Sequence, residues 1–214
     1  MPEVKNQETN ELTGDFWIRD CRLSFPNIVK PKAFKPGDTP KFSASFILTS
    51  DNPDWKLFMA MVNRLAAAKW AENAVNIMAM IKGDKRQRCY GVGTDKLDKK
   101  GGIYAGYDAP NTVYVGASDE TQPQMYGADG TPMDPMSANT KFVGGNYVSG
   151  IVRPWIQDNE YGKAVRASFV GVQYLREGEK FGSAPTDAGG IFQPTPGGPD
   201  AAAEPSVDNY DPLA

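Results

Sequence analysis

Residues 41–49 alternate between two faces: Phe42, Ala44, Phe46 and Leu48 on one, Lys41, Ser43, Ser45 and Thr49 on the other, with Ile47 breaking the polar side. A period of two with one apolar face predicts a half-buried strand. Upstream, 15–25 is dense in aromatic and branched residues and stops at Pro26, which predicts another strand. The stretch 31–40 between them is a Pro/Gly-punctuated loop carrying Lys32, Phe34 and Lys35. After residue 49 the period changes. Asn52 suits a helix N-cap, Pro53 the first helical position, and Asp54 the positive end of the dipole. Trp55, Phe58, Val62 and Leu65 then fall at helical spacing with Met61 beside them, so a helix reaches to about residue 73 and turns this stripe to the core.

Downstream, 74–81 is mostly apolar, and 82–107 mixes charges, glycines and tyrosines. Residues 112–116 read as a short strand, and 120–140, turn-rich around Gly127-Ala128-Asp129-Gly130, as an extended hairpin or loop arm. Two long strands follow at 146–157 and 163–175, and Pro154 places the first at an edge or a bulge. Many strands with one helix predict a mainly β body, a small barrel or sandwich.

Composition narrows the chemistry. The 214 residues include no histidine and two cysteines, Cys21 and Cys89, which excludes His-dependent triads, His-ligated zinc and a four-cysteine zinc site. Two thiols without a disulfide framework suit a reducing cytoplasm, and residues 1–14 carry no secretory h-region. No apolar run approaches the roughly 18 residues that a membrane span needs. Phosphate-loop and Gly-x-Ser-x-Gly motifs are missing. Asp98-Lys99-Lys100 lacks the second carboxylate that would hold Mg²⁺ for nuclease chemistry. The expectation is a binding protein with no cofactor or metal.

The net charge of −3 hides a partition. Residues 183–214 carry five acids and no Lys or Arg, and half of that stretch is Pro, Gly or Ala, so it predicts a disordered acidic tail. The remaining body is mildly basic, with 23 basic against 21 acidic residues in 1–182. The tail's tip, with Asp208, Tyr210, Asp211 and Leu213, sets apolar anchors among acids, as a short docking motif does.

Two constellations in the body point to a polyanion. On the strand 147–156, Val148, Val152 and Ile156 form a core face, while Tyr147, Ile151, Arg153 and Trp155 share the other; Trp17 and Arg19 repeat the aromatic–cation pairing on the first strand. Aromatic rings interleaved with cations give unstacked bases π-platforms and phosphates partners. Residues 82–100 carry seven basic residues against three acids, Lys85, Arg86 and Arg88 among them, with Tyr90 alongside.

The order of several short pieces then becomes informative: Arg22-Leu23-Ser24-Phe25-Pro26-Asn27-Ile28, Pro31-Lys32-Ala33-Phe34, Pro40-Lys41-Phe42-Ser43-Ala44-Ser45-Phe46, Tyr114-Val115-Gly116-Ala117-Ser118, and Gly171-Val172-Gln173-Tyr174-Leu175. Spanning about 22–180, they resemble a family of phage single-stranded-DNA-binding proteins. The resemblance implies an OB-fold that binds single-stranded DNA in replication or recombination without enzymatic activity, and an acidic tail that recruits replication partners. Two features depart from the pattern: the chain ends in Leu213-Ala214 where such tails usually end in Phe, and the helix follows the second strand where an OB-fold usually has it after the third.

The expected organisation is a flexible arm at 1–14, an OB-fold-like β-barrel with one α-helix at 15–182, and the tail at 183–214. Its expected role, in an infected cell's cytoplasm, is to coat single-stranded DNA without sequence preference. Stacking is assigned to Trp17, Tyr147 and Trp155, with Phe34 and Tyr90; phosphate contacts to Arg19, Lys32, Lys35, Lys85, Arg86, Arg88 and Arg153; and docking of replication or recombination proteins to Asp208, Tyr210, Asp211 and Leu213. Two other readings fit the same residues: a duplex- or junction-preferring annealing protein resting on 82–100, and a protein-interaction module that binds no DNA. Self-association is left open.

Overall fold

The computed structural model describes residues 14–181, which fall within one compact unit. The arm at 1–13 and the tail, with all four of its proposed docking residues, lie outside the described residues. The body is mainly β, a seven-stranded sheet in the order β3-β4-β2-β1-β6-β7-β5. Its strands are β1 (Phe16–Lys32), β2 (Lys41–Thr49), β3 (Tyr90–Val92), β4 (Thr112–Asp119), β5 (Gln124–Tyr126), β6 (Tyr147–Asn159) and β7 (Gly162–Arg176). Every pairing in the sheet is antiparallel except β5 with β7.

β1 runs past Pro26, where the sequence predicted its end. The register against β2 shifts between Ser24 and Asn27, and Phe25 adopts φ +46°, so a bulge carries the chain through a residue that has no N–H to give. Pro154 is accommodated in a related way. β6 is internal, but its pairing with β1 ends at Phe16↔Val152, so the strand is an edge locally by the time it reaches Pro154.

The predicted helix is α1 (Pro53–Trp70), capped by the Asn52 side chain, which accepts from the Asp54 N–H at 2.8 Å. Two further helices join it. The apolar stretch after residue 73 forms α2 (Ala74–Gly83), and α3 (Pro135–Lys141) follows the turn-rich segment. That segment is docked on the sheet: β5 pairs with β7, and Met133 N–H donates to the Met125 carbonyl at 2.8 Å to close a small hairpin.

As a ladder the sheet is open, yet β4 and β7 curl side by side. The segment leading into β3 lies between them. Cys89 N–H donates to the Val165 carbonyl of β7 at 2.9 Å, and Gly116 N–H of β4 donates back to the Cys89 carbonyl at 2.6 Å. The tube interior holds Phe46, Val115, Val148, Val152, Val165 and Phe169, all at most 2 % exposed. Phe58, Met61 and Val62 of α1 pack against this core, with the Phe16 and Phe58 rings edge-on at 5.5 Å. Asp54 fastens the helix start to β1: its Oδ2 accepts from the Arg19 backbone N–H at 2.9 Å and Nε at 3.0 Å, and its Oδ1 from Nη2.

Gly150 sits on the core face of β6 because the Phe46 ring occupies the space of its side chain. A Cβ there would lie 2.4 Å from a ring carbon of Phe46. Gly150→Ala is therefore expected to destabilise the fold by about 1–3 kcal/mol through overpacking. The check is the urea midpoint, which falls in the variant while the m-value holds.

Candidate nucleic-acid interface

A groove of about 1270 Å³ crosses the outer surface over the meeting of β4 and β7. Strand alternation supplies its floor. With Ala44, Phe46, Val115 and Ala117 turned into the core, Ser43, Ser45, Gly116 and Ser118 are left to line the outside. Register sets them in pairs, Ser43↔Ser118 and Ser45↔Gly116, with Cys89 and then Ser168 of β7 beyond. A floor of such small residues lets a flat ring come close to the backbone.

The walls are aromatic. On one side stands Trp155 of β6, 44 % exposed and paired across the ladder with Arg166. Phe25 and Tyr104 also line the groove, their rings edge-on at 5.0 Å, as does Phe34, which is 94 % exposed on the loop between β1 and β2. Phe25 holds its place through the left-handed backbone conformation at the bulge, and its ring stacks on Tyr107 at 6.1 Å. A bulky residue at positive φ stores strain, which is common where a side chain must be aimed.

Lys32, Lys41, Lys96 and Arg166 line the same groove. Arg166 is oriented by Gln157 (3.1 Å) and the Arg86 carbonyl (2.8 Å), and Lys41 lies 3.5 Å from Glu120. Lys96 differs: its ammonium sits 4.2 Å from the Tyr114 ring centre and 5.8 Å from that of Phe25. Burial pushes its pKa below the ordinary lysine value, outweighing Asp95, which raises it. Asp119 and Glu120 make one stretch of the lining acidic. Burial opposes ionisation of Asp119, but the Thr121 N–H and the Ser168 hydroxyl outweigh it and hold the carboxyl below its usual value.

Of the residues singled out from the sequence, Trp155, Phe34 and Lys32 line this groove. Lys35 is exposed on the same loop as Phe34, its N–H held by Asp38. The others lie outside the lining and are engaged elsewhere. Trp17 carries the Arg19 guanidinium over its ring at 5.8 Å, while Arg19 itself is committed to Asp54. Tyr147 has two guanidinium neighbours, Arg176 at 3.8 Å and Arg22 at 5.1 Å. Tyr90 is buried against Trp55 and Phe58. Arg88, its side chain 10 % exposed, pairs with Asp95 at 3.0 Å and donates to the Tyr90 carbonyl. Arg86 is paired with Asp84, Lys85 reaches the Asp95 carbonyl at 3.4 Å, and Arg153 bonds Asp15 at 2.7 Å.

Sequence reasoning gave Phe25 and Lys41 no role; Lys96 and Tyr104 fell within its basic, tyrosine-bearing constellation and Arg166 among the strand cations, but none of the three was assigned a contact. The available signal was the polar face of β2: two serines opposite a Gly/Ser strand make a face too small to be ordinary solvent surface. Asp98 is taken up by its own turn, accepting from the Lys100 and Gly102 N–H groups at 2.7 and 2.8 Å.

A family model described as "Enterobacter phage Enc34, ssDNA-binding protein" matches residues 15–198. A curated relative, "Putative protein p50" of Acyrthosiphon pisum secondary endosymbiont phage 1, is 25% identical over 166 residues, 77% of this chain and 84% of the relative. Among solved structures, the single-stranded DNA-binding protein from bacteriophage Enc34 in complex with ssDNA is similar at TM-score 0.63 and 21% identity, covering 80% of this chain and 91% of that one. The same phage protein in a second structure gives TM-score 0.62 at 19% identity, covering 85% and 92%. These two likenesses concern the fold.

Both thiols are held in the neutral form by burial, which pushes Cys21 up strongly and Cys89 up to about 12. A thiolate is the reactive species, so the raised pKa values slow both thiols. Ellman's reagent at pH 8 should therefore react more slowly with the folded protein than with the unfolded chain, and slowest with Cys21, which is fully buried.

Proposed function

The chain belongs to the Enterobacter phage Enc34 ssDNA-binding protein family, and on that premise we propose that its groove is the path of single-stranded DNA. One observation carries the assignment: exposed rings, Trp155 with Phe25 and Phe34, line a groove floored by serine and glycine. Unstacked bases lie over such rings for roughly 1–3 kcal/mol each, and every base has a π-face, so binding tolerates any sequence. Lys32, Lys41 and Arg166 supply the phosphate contacts. A duplex hides its base faces in its own stack and offers only phosphates, so the groove prefers an open strand.

The protein's role is to coat single strands exposed in replication or recombination of phage DNA inside the infected cell, by binding and not by turnover. The acidic tip with Asp208, Tyr210, Asp211 and Leu213 belongs to the same proposal as the part that docks replication or recombination proteins.

The test is anisotropy of a labelled oligo-dT. Trp155→Ala and Phe34→Ala should each weaken binding by roughly 1–3 kcal/mol without unfolding. Arg86→Gln should change it little, since that side chain is not among the groove's lining. Unlabelled single strand should displace the probe and matched duplex should not. Three phosphate contacts predict a log–log salt slope of about −2, at about 0.7 per phosphate for a single strand. Full affinity in a folded Trp155→Ala variant would remove that ring from the path.

A further inference from the structure

Phe25 reaches the groove from a backbone at φ +46°, a conformation that a bulky residue holds only where its surroundings fix it. The fixing comes from behind. Tyr107, 1 % exposed, stacks its ring on Phe25 at 6.1 Å and meets Tyr114 edge-on at 5.8 Å, while lining no part of the groove itself.

Behind Tyr107 in turn lies Phe181, beyond the end of β7. It packs against the cluster of Ile47, Tyr107 and Tyr114. A side chain on Gly106 would run into the Phe181 ring, so Phe181 rests directly on the chain that carries Tyr107. Phe181 is half-buried and tied down from several sides. Its N–H donates to the Gly144 carbonyl at 3.1 Å, and the Arg22 guanidinium lies 4.7 Å from its ring centre. Arg22 also donates to the Glu179 carbonyl, and Gly178 N–H donates to Asn146 Oδ1 at 3.1 Å. The chain leaving β7 is thus folded back and fastened beside β1, just before the bulge that carries Phe25.

We propose that Phe181 is a positioning residue for single-stranded DNA: it holds Tyr107 in place, and through Tyr107 it fixes the angle at which Phe25 meets a base. The proposal rests on the reading of the groove as a single-strand path, and it adds a residue that lies outside the groove's lining. Aromatic contacts depend on the relative orientation of the two rings, so a platform that turns freely stacks less well than a fixed one. With the Phe181 ring removed, Tyr107 gains room behind it and Phe25 loses its fixed partner. Binding must then select one orientation of Phe25 from several, which lowers affinity without altering any group that meets the strand. A residue that only fills the core changes stability. A positioning residue changes the affinity of the folded protein, and only while Phe25 is there to be positioned.

The experiment is a double-mutant cycle on the full chain, with affinity for a labelled oligo-dT read by anisotropy and folding by circular dichroism and the urea midpoint. Phe181→Ala should weaken binding roughly three- to tenfold, the scale of one aromatic contact. In a Phe25→Ala background the same change should have no further effect, whereas in a Phe34→Ala background its full factor should remain. Phe181→Leu keeps the apolar bulk and guards against loss of the fold; it should give a smaller factor with the same dependence on Phe25. Full affinity in the folded Phe181→Ala and Phe181→Leu variants overturns the proposal and leaves the reading of the groove intact. A Phe181 factor that persists in the absence of Phe25 does the same. Unchanged affinity in Phe25→Ala, Phe34→Ala and Trp155→Ala alike removes the groove as the path, and the proposal with it.

Discussion

Cys89 is hydrogen-bonded on both sides, its N–H to β7 and its carbonyl to β4, and the rest of the molecule is arranged around that pair of bonds. Without a chain between them, β4 and β7 would present facing edges of unpaired N–H and C=O groups. Filling the gap takes a segment that is extended, apolar on its inner side and fixed in direction. Tyr90 supplies the inner side, packing on Trp55 and Phe58, and Arg88 supplies the fixing through Asp95. α1 and α2 carry the chain from β2 to that point, and the Arg19–Asp54 bonds hold the start of α1 on β1.

The same constraint sorts the cations. A mildly basic body suggests that many of its Lys and Arg residues face a polyanion, but several are committed to building the scaffold. Arg19, Arg88 and Arg153 each bind a carboxylate of the body, and Arg22 is spent on the Gly145 and Glu179 carbonyls. The four cations of the groove, Lys32, Lys41, Lys96 and Arg166, line it together with serine, glycine and exposed rings. On the proposed path, stacking then carries a larger share of the affinity than the charge count alone suggests.

The five longer strands, α1 and the core faces of β2 and β6 were legible because burial writes period two or period 3.6 directly into the sequence; β3 and β5, three residues each, are too short to carry a period. α2 was not legible either, since ten mostly apolar residues carry no period that separates a helix from a buried strand. The continuation of β1 through Pro26 depends on a bulge, which pattern reading does not anticipate. Of the groove's lining, Trp155 and Phe34 stood out in the sequence because an aromatic residue on a polar face or a loop is conspicuous. Trp17 and Tyr147 looked the same, and only the folded structure reveals that they lie outside the groove lining. Phe25 was hidden for the opposite reason: in sequence it closes a strand, and the left-handed turn of its backbone aims it outward.

The central claim is that single-stranded DNA runs across the groove over the β4–β7 meeting. Zero-length ultraviolet crosslinking of oligo-dT, mapped by peptide mass spectrometry, tests it most directly because it reports which rings touch bases. Adducts at Trp155, Phe25 and Phe34, with Trp17 and Tyr147 unmodified, are the predicted result. Adducts concentrated at Trp17 or Tyr147, with the groove peptides clean, would contradict it.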